Sequence, residues 1–285
     1  MIVGIDHLAL SASDTAAAGQ RLAAAGFEGV FVEHGIENAA AKRPLLARHE
    51  PTHDLALYRP SGGGTPIELT VHNRALASGR GDFMPLVSLP GDCFARRERT
   101  SEEPRWDTFV ADALGVASVP AHWPGPECDL WSAESATSDA HVMSILFATP
   151  DPEGERRFLI DSVGCTEIRR CDGAWAWLRL AAPITTWRGD ILLAGCDRVA
   201  EVTLDSGGFT CLALLSSDLD RDRERMLACG ARAMTETFEL TVNRRCLQIC
   251  FCRTPGGSPI ELICPSPKGR KGSGTCPTSP DRRRR

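Results

Sequence analysis

The sequence predicts an α+β fold built from repeated βαβββ modules. Three observations carry that reading: two copies of a strand–Asp–helix–Gly opening, two copies of a Gly-Gly-Thr/Ser-Pro-Ile-Glu-Leu ending, and apolar runs of strand length between them.

The first module opens on Ile5-Asp6-His7-Leu8-Ala9-Leu10-Ser11-Ala12-Ser13-Asp14. The last repeats the pattern as Phe209-Thr210-Cys211-Leu212-Ala213-Leu214-Leu215-Ser216-Ser217-Asp218. Each Asp is placed to cap a helix by accepting from free amides of its first turn. Each helix stops at a glycine, Gly26 or Gly230, which tolerates the left-handed conformation of a helix end. Leu22 and Met226 occupy matching positions and are expected to face the sheet. The modules close on Gly63-Gly64-Thr65-Pro66-Ile67-Glu68-Leu69 and Gly256-Gly257-Ser258-Pro259-Ile260-Glu261-Leu262. Proline suits an early strand position that need not donate to the ladder. A strand precedes each closing turn, Asp54–Tyr58 or Leu247–Phe251.

A third copy is fainter. His141–Thr149 reads as a strand, Asp151 opens a helix that ends at Gly164, and Ala174–Leu180 and Asp190–Ala194 read as strands. No Pro-Ile-Glu-Leu occurs there. Residues 73–139 are the least readable: Phe83–Leu89 suggests a strand and Arg105–Gly115 a short helix. They form either a degenerate module or a long insertion, and a structureless stretch of that length is unusual in a compact protein. The expected division is therefore 1–139, with a clear first module at 1–72 and a degenerate second at 73–139, then 140–265 as a two-module domain. A tail, 266–285, is rich in Pro, Gly, Ser and Arg and is expected to be disordered.

The formal charge of −5 is uneven. From Pro265 onward seven basic residues face one Asp, a net +6, so the rest of the chain carries −11. An acidic body argues against nucleic acid as the partner. No run approaches the roughly 18 apolar residues of a membrane span, and the N-terminus does not read as a signal peptide, so a cytoplasmic location is expected. The twelve cysteines lack paired CxxC spacing, and many lie in apolar runs, where a thiol behaves as a small hydrophobe.

With these motifs the chain resembles the vicinal-oxygen-chelate superfamily of glyoxalases, bleomycin-resistance proteins and extradiol dioxygenases. The resemblance covers 1–72 and about 205–264 clearly and 140–195 faintly. It implies modules that curl in pairs into open cups. In metal-using members the ligands come from the first and last strands of a module. Here those positions are His7 and Glu68 in the first module, and Cys211 and Glu261 in the last. In the third copy the first-strand position is Ser144 or Ile145. The implied cofactor is a divalent metal, Fe2+, Zn2+, Mn2+ or Ni2+, with Glu261 serving as ligand or general base. The bland alternatives are a cup-lining histidine for His7, a strand ending shared with metal-free members for the two glutamates, and a buried hydrophobe for Cys211.

Weaker candidates surround these. His72 shares strand parity with Glu68 and is a further ligand or base. Arg43 and Arg48, in the long loop Asn38–Pro51, are candidates for holding an anionic substrate at a cup rim. Trp175 and Trp177 share a strand face and are candidates for stacking on a ligand. Cys246, Cys250 and Cys252 also share a face. The leading functional expectation is a metal-dependent isomerase, lyase or dioxygenase acting on a small oxygenated molecule. The alternative is a metal-free binding or resistance protein that sequesters a natural product. A third reading is a scaffold whose modules mediate homodimerisation.

Overall fold

The computed structural model describes residues 1–72, 81–88, 94–101, 103–123, 128–133, 139–171, 174–181, 188–197 and 201–266. The tail expected to be disordered lies, from 267 on, outside the described residues.

The first module consists of β1 (Ile2–Ser11), α1 (Thr15–Ala24), β2 (Phe27–Glu37), β3 (Thr52–Pro60) and β4 (Ile67–Val71). Asp14 caps α1, accepting from the amides of Ala16 and Ala17 at 2.8 and 2.9 Å. Gly26 follows the helix at φ +90°. The second module contains β5 (Phe83–Ser88), β6 (Ala95–Arg96), α2 (Trp106–Leu114), β7 (Ser118–Trp123) and β8 (Cys128–Ala133). It is a genuine module with an altered order: its helix lies between the second and third strands. The third comprises β9 (His141–Thr149), α3 (Pro152–Phe158) with a π turn over Leu159–Val163, β10 (Thr166–Cys171), β11 (Trp175–Ala181) and β12 (Arg188–Gly195). The sequence reading missed β10, whose residues are all exposed and carry no apolar alternation. The fourth comprises β13 (Gly208–Ser216), α4 (Leu219–Ala228), β14 (Phe238–Val242), β15 (Arg245–Arg253) and β16 (Pro259–Pro265). Asp218 caps α4 through the Arg221 amide, and Gly230 follows at φ +96°.

These strands form two eight-stranded sheets, in the orders β14-β15-β16-β13-β1-β4-β3-β2 and β10-β11-β12-β9-β5-β8-β7-β6. The pairing does not follow the division at 139/140 expected from the sequence. The first module joins the fourth through antiparallel β1 and β13, and the second joins the third through antiparallel β5 and β9. The physical reason is the open edge that a lone module leaves at its first strand. The two central modules, adjacent in the chain, cover each other's edges, and the outer two are left to do the same.

One face of each sheet and three of the helices share the main core. Leu8, Leu10, Ile67, Leu212 and Leu214 from the first sheet lie in one cluster with Phe83, Phe147, Ile191 and Leu193 from the second. Leu22 of α1 and Met226 of α4 are wholly buried in it, facing the sheet as expected. The other face of each strand lines a concave inner surface, and there the two sheets part company. The second sheet is filled by a separate core of Met84, Leu86, Trp106, Val110, Trp131, Trp175 and Leu192. The first keeps a cleft of about 730 Å3, counting its open mouth.

A candidate metal centre in the first sheet

Strand register assembles the site. On the first sheet His7 pairs with Ala213 and Ala9 with Cys211 across β1 and β13. Ala9 pairs with Glu68 on β4, and Ala213 with Glu261 on β16, both in parallel. This local two-fold relation makes Cys211 the counterpart of His7 and Glu261 the counterpart of Glu68. Because alternate residues point to opposite faces, the small Ala9 and the functional side chains share the inner surface and open onto the cleft.

His7, Glu68 and Glu261 come together there. His7 Nε2 lies 3.4 Å from Glu68 Oε1 and 3.5 Å from Glu261 Oε2. One donor atom from each residue falls within 4.8 Å of the others. His7 is buried, and its Nδ1 meets Asp6 Oδ2 at 2.9 Å. If Nδ1 carries the proton, it donates to Asp6 and leaves Nε2 with a lone pair aimed at the carboxylates. Nε2 is a buried polar atom without a hydrogen-bond partner.

The electrostatics ask for a cation at this point. Burial alone would lower the His7 pKa, but the Glu68 carboxylate, the hydrogen bond to Asp6, the nearby Glu261 carboxylate and the Asp6 charge raise it well above its ordinary value. Burial pushes the Glu68 carboxyl up to about 7, against the pull of His7. Two carboxylates held this close with little water need positive charge between them. A proton on His7 supplies it, and a divalent ion replacing that proton supplies more. The donor set, an imidazole nitrogen with its far nitrogen anchored to a carboxylate plus two glutamates, fits a divalent metal.

Cys211 faces the same cleft but lies outside the cluster. Burial, with the Glu261 charge next, raises its thiol well above the ordinary range, so it is a neutral, buried group.

The remaining sequence candidates divide. His72, just after β4, lines the cleft and is buried, with both ring nitrogens unpartnered. Arg43 and Arg48 are exposed, and Arg48 pairs with Glu50 at 2.9 Å. They do not enter the cleft. Lys42, their neighbour, does, and the sequence reading passed over it. Trp175 and Trp177 belong to the second sheet, where Arg169 and Arg179 lie over their rings. Trp175 packs in the filled inner core there and is no part of this cleft. Cys250 and Cys252 are core residues, Cys252 Sγ lying 3.9 Å from Met226 Sδ, while Cys246 is exposed. They form no thiol site.

No protein-family model matches the sequence, and no curated protein matches it. Solved structures do. A candidate dioxygenase from Bacillus subtilis subsp. subtilis str. 168 superposes with a TM-score of 0.58 at 14% identity, over 93% of this chain and 86% of that one. Glyoxalase I from Zea mays superposes with a TM-score of 0.54 at 11% identity, over 91% and 92%. Identities this low speak to architecture alone, and the architecture is the glyoxalase-like α+β fold. Among the described residues no helix is long and apolar enough to cross a membrane.

Proposed function

We propose that the chain is a divalent-metal-dependent enzyme of the lyase or isomerase kind, acting on a small molecule with neighbouring oxygen atoms. The observation that carries this is the unpartnered Nε2 of His7, facing Glu68 and Glu261 while Asp6 holds the other ring nitrogen. Iron oxygenases of the facial-triad type use two imidazoles and one carboxylate. One imidazole with two carboxylates departs from that set and favours proton transfer over oxygen activation.

His7, Glu68 and Glu261 would hold the ion, which when bound supplies Lewis-acid polarisation of a substrate carbonyl or enolate oxygen. Asp6 orients the His7 ring and fixes its tautomer. Glu261, the more buried of the two glutamates, is the group we assign to take up and return a proton at the substrate carbon beside the bound oxygens. The apolar lining, with Leu55, Leu57 and Ile249 among it, keeps water from competing for that proton.

A metal-free carrier is the second reading, favoured by Cys211. The fourth strand position of the two-fold set presents a neutral, buried thiol where a further ligand would complete the site.

Equilibrium dialysis of the chelated full-length chain against Mn2+, Zn2+, Fe2+ and Ni2+ tests the proposal. The expected result is about one tightly bound ion per chain, with affinity falling about 100-fold or more in His7→Gln and in Glu261→Gln. Absence of tight binding by all four ions, or binding unchanged in both variants, rejects the metal reading.

A further inference from the structure

The same cleft carries a second cluster, of the opposite electrostatic character. The connection from β2 to β3 makes a short 3-10 turn, Ala40–Leu45. It is tied down at both ends. The Asn38 amide donates to Pro51 O at 2.8 Å, and Leu204 donates to Leu45 O at 2.9 Å. The amides of Ala47 and Arg48 donate to the Asp205 carboxylate at 2.8 and 2.9 Å. Leu45 and Leu46 bury themselves against Leu204, Ile249 and Phe251. Anchored this way, the turn drives Lys42 inward, and its side chain ends 6% exposed within the cleft.

The surroundings of Lys42 are unusual for an ammonium. Its Nζ reaches His53 Nε2 at 3.5 Å. It also lies 5.5 Å from the Phe251 ring centre and 5.8 Å from that of Phe238. Among the described residues no carboxylate oxygen lies within the 4.0 Å of an ion pair. A buried charge is costly unless paired and hydrogen-bonded, and one weak acceptor with two ring faces leaves donor capacity unused. His72 stands beside this group: its ring centre is 5.6 Å from that of His53, it is 4% exposed, and both its nitrogens lack partners. Unpaired donors on two different elements thus meet in one cavity. The chemistry they lack is an acceptor with negative charge.

We propose that Lys42 and His72 form an anion-binding pole of the cleft, which takes the carboxylate of a small oxo or hydroxy acid. The inference rests on the metal reading only for the position of the substrate's other oxygens. The carboxylate accepts from Lys42 Nζ, with His53 holding that ammonium in place, and from one nitrogen of His72. The carbonyl or hydroxyl end then lies toward His7, Glu68 and Glu261. The acidic cluster at one end and the Lys42–His72 donors at the other select, in one small cavity, a short substrate with its carbonyl or hydroxyl oxygens at one end and its carboxylate at the other. Lys42 and His72 act as positioning residues.

The test uses pyruvate and the full-length, metal-free chain, titrated by calorimetry and by ligand-observed saturation-transfer NMR. The expected result is pyruvate binding that weakens about tenfold or more in Lys42→Met and in His72→Phe, and is unchanged in Arg43→Ala. Circular dichroism and thermal melts check that each variant is folded, and Lys42→Met is expected to melt no lower than the parent, since it removes a buried charge. No pyruvate binding, or equal binding by parent and Lys42→Met, overturns the proposal. Pyruvate binding that depends on Lys42 in a chain that takes up no divalent ion keeps the anion pole and rejects the metal reading. Uptake of the ion with Lys42-independent pyruvate binding does the reverse.

Discussion

The two sheets share one topology and differ in what occupies four equivalent positions of their inner faces. In the first sheet these positions hold His7, Glu68, Cys211 and Glu261. In the second, Leu86 pairs with both Ser144 and Trp131, and Leu146 pairs with both Met84 and Leu192. By the same register the positions of His7, Glu68, Cys211 and Glu261 are taken by Met84, Trp131, Ser144 and Leu192. The histidine and both glutamates have apolar side chains as their counterparts, and the Ser144 hydroxyl donates to Asp190 O at 3.0 Å. The connections that close the two inner faces differ in the same sense. Between β2 and β3 a polar turn inserts Lys42, whereas between β6 and β7 the helix α2 inserts Trp106 and Val110. One copy of the architecture keeps a polar cavity, and the other has become a core. The same backbone accommodates either outcome, because period-2 alternation lets the inner face change without disturbing the shared core on the outer one.

The largest expected effect breaks the second sheet without touching the first. Trp106 is wholly buried among Phe109, Trp131 and Trp175. Trp106→Ala leaves a void that α2 can only partly close, and it is expected to cost about 3–5 kcal/mol in denaturant unfolding. Divalent-ion uptake, measured on the folded variant, is expected to stay at the parental value. A change in ion affinity, or a cost below about 1 kcal/mol, would show that the two inner faces are not independent in the way the register suggests.

A smaller effect tests how the two sheets communicate. Glu155 of α3, in the third module, is wholly buried and accepts hydrogen bonds from the Thr254 hydroxyl and, at 2.9 Å, from the Gly256 amide, both in the turn between β15 and β16. Burial pushes its pKa up to about 7; the hydrogen bonds to Thr254 and Gly256 and the Arg232 charge oppose this, while Asp151 adds to it. The folded pKa is thus above the unfolded value. The stability contributed by the protonated form is complete below pH 4.5, its ordinary value, and is lost as pH rises through about 7. Glu155→Gln, which is neutral throughout, is expected to flatten that part of the stability–pH curve by about 2–3 kcal/mol. Chemical denaturation at a series of pH values measures it, and an identical slope in parent and variant would remove Glu155 as the pH-sensitive joint between the sheets.

Much of the first sheet was legible in the sequence because its signals are local. Asp14 and Gly26, or Asp218 and Gly230, punctuate a helix through bonds spanning a few residues, and Pro-Ile-Glu-Leu marks a strand by its own composition. The family resemblance that these motifs carry, rather than any local signal of their own, singled out His7, Glu68 and Glu261. What the sequence concealed is long-range. Which modules pair depends on strand edges more than 200 residues apart, as Ile2 with Ser216. The second module was obscured because its helix lies in a different connection and its counterparts of His7 and Glu68 are Met84 and Trp131, which read as ordinary core. Nothing local distinguishes Lys42 from Arg43 and Arg48, since lysine and arginine are both ordinarily surface residues. Only the anchoring of the loop by Asp205 and Leu204 decides which of its three basic side chains, Lys42, Arg43 and Arg48, turns inward.

That last distinction supplies the smallest expected effect and the sharpest control. Arg48 is exposed and its pairing with Glu50 is a surface one, so Arg48→Ala is expected to change stability by less than about 0.5 kcal/mol. The backbone amides of Ala47 and Arg48, not the Arg48 side chain, hold the loop to Asp205, so the substitution keeps the anchor. Asp205→Ala removes that anchor, freeing the turn that carries Lys42, without substituting any side chain that lines the cleft. It is expected to weaken pyruvate binding several-fold while changing divalent-ion affinity by less than twofold. If Arg48→Ala weakens pyruvate binding as much as Asp205→Ala does, the basic side chains at the rim, and not the anchored Lys42, set the anion preference of the first sheet.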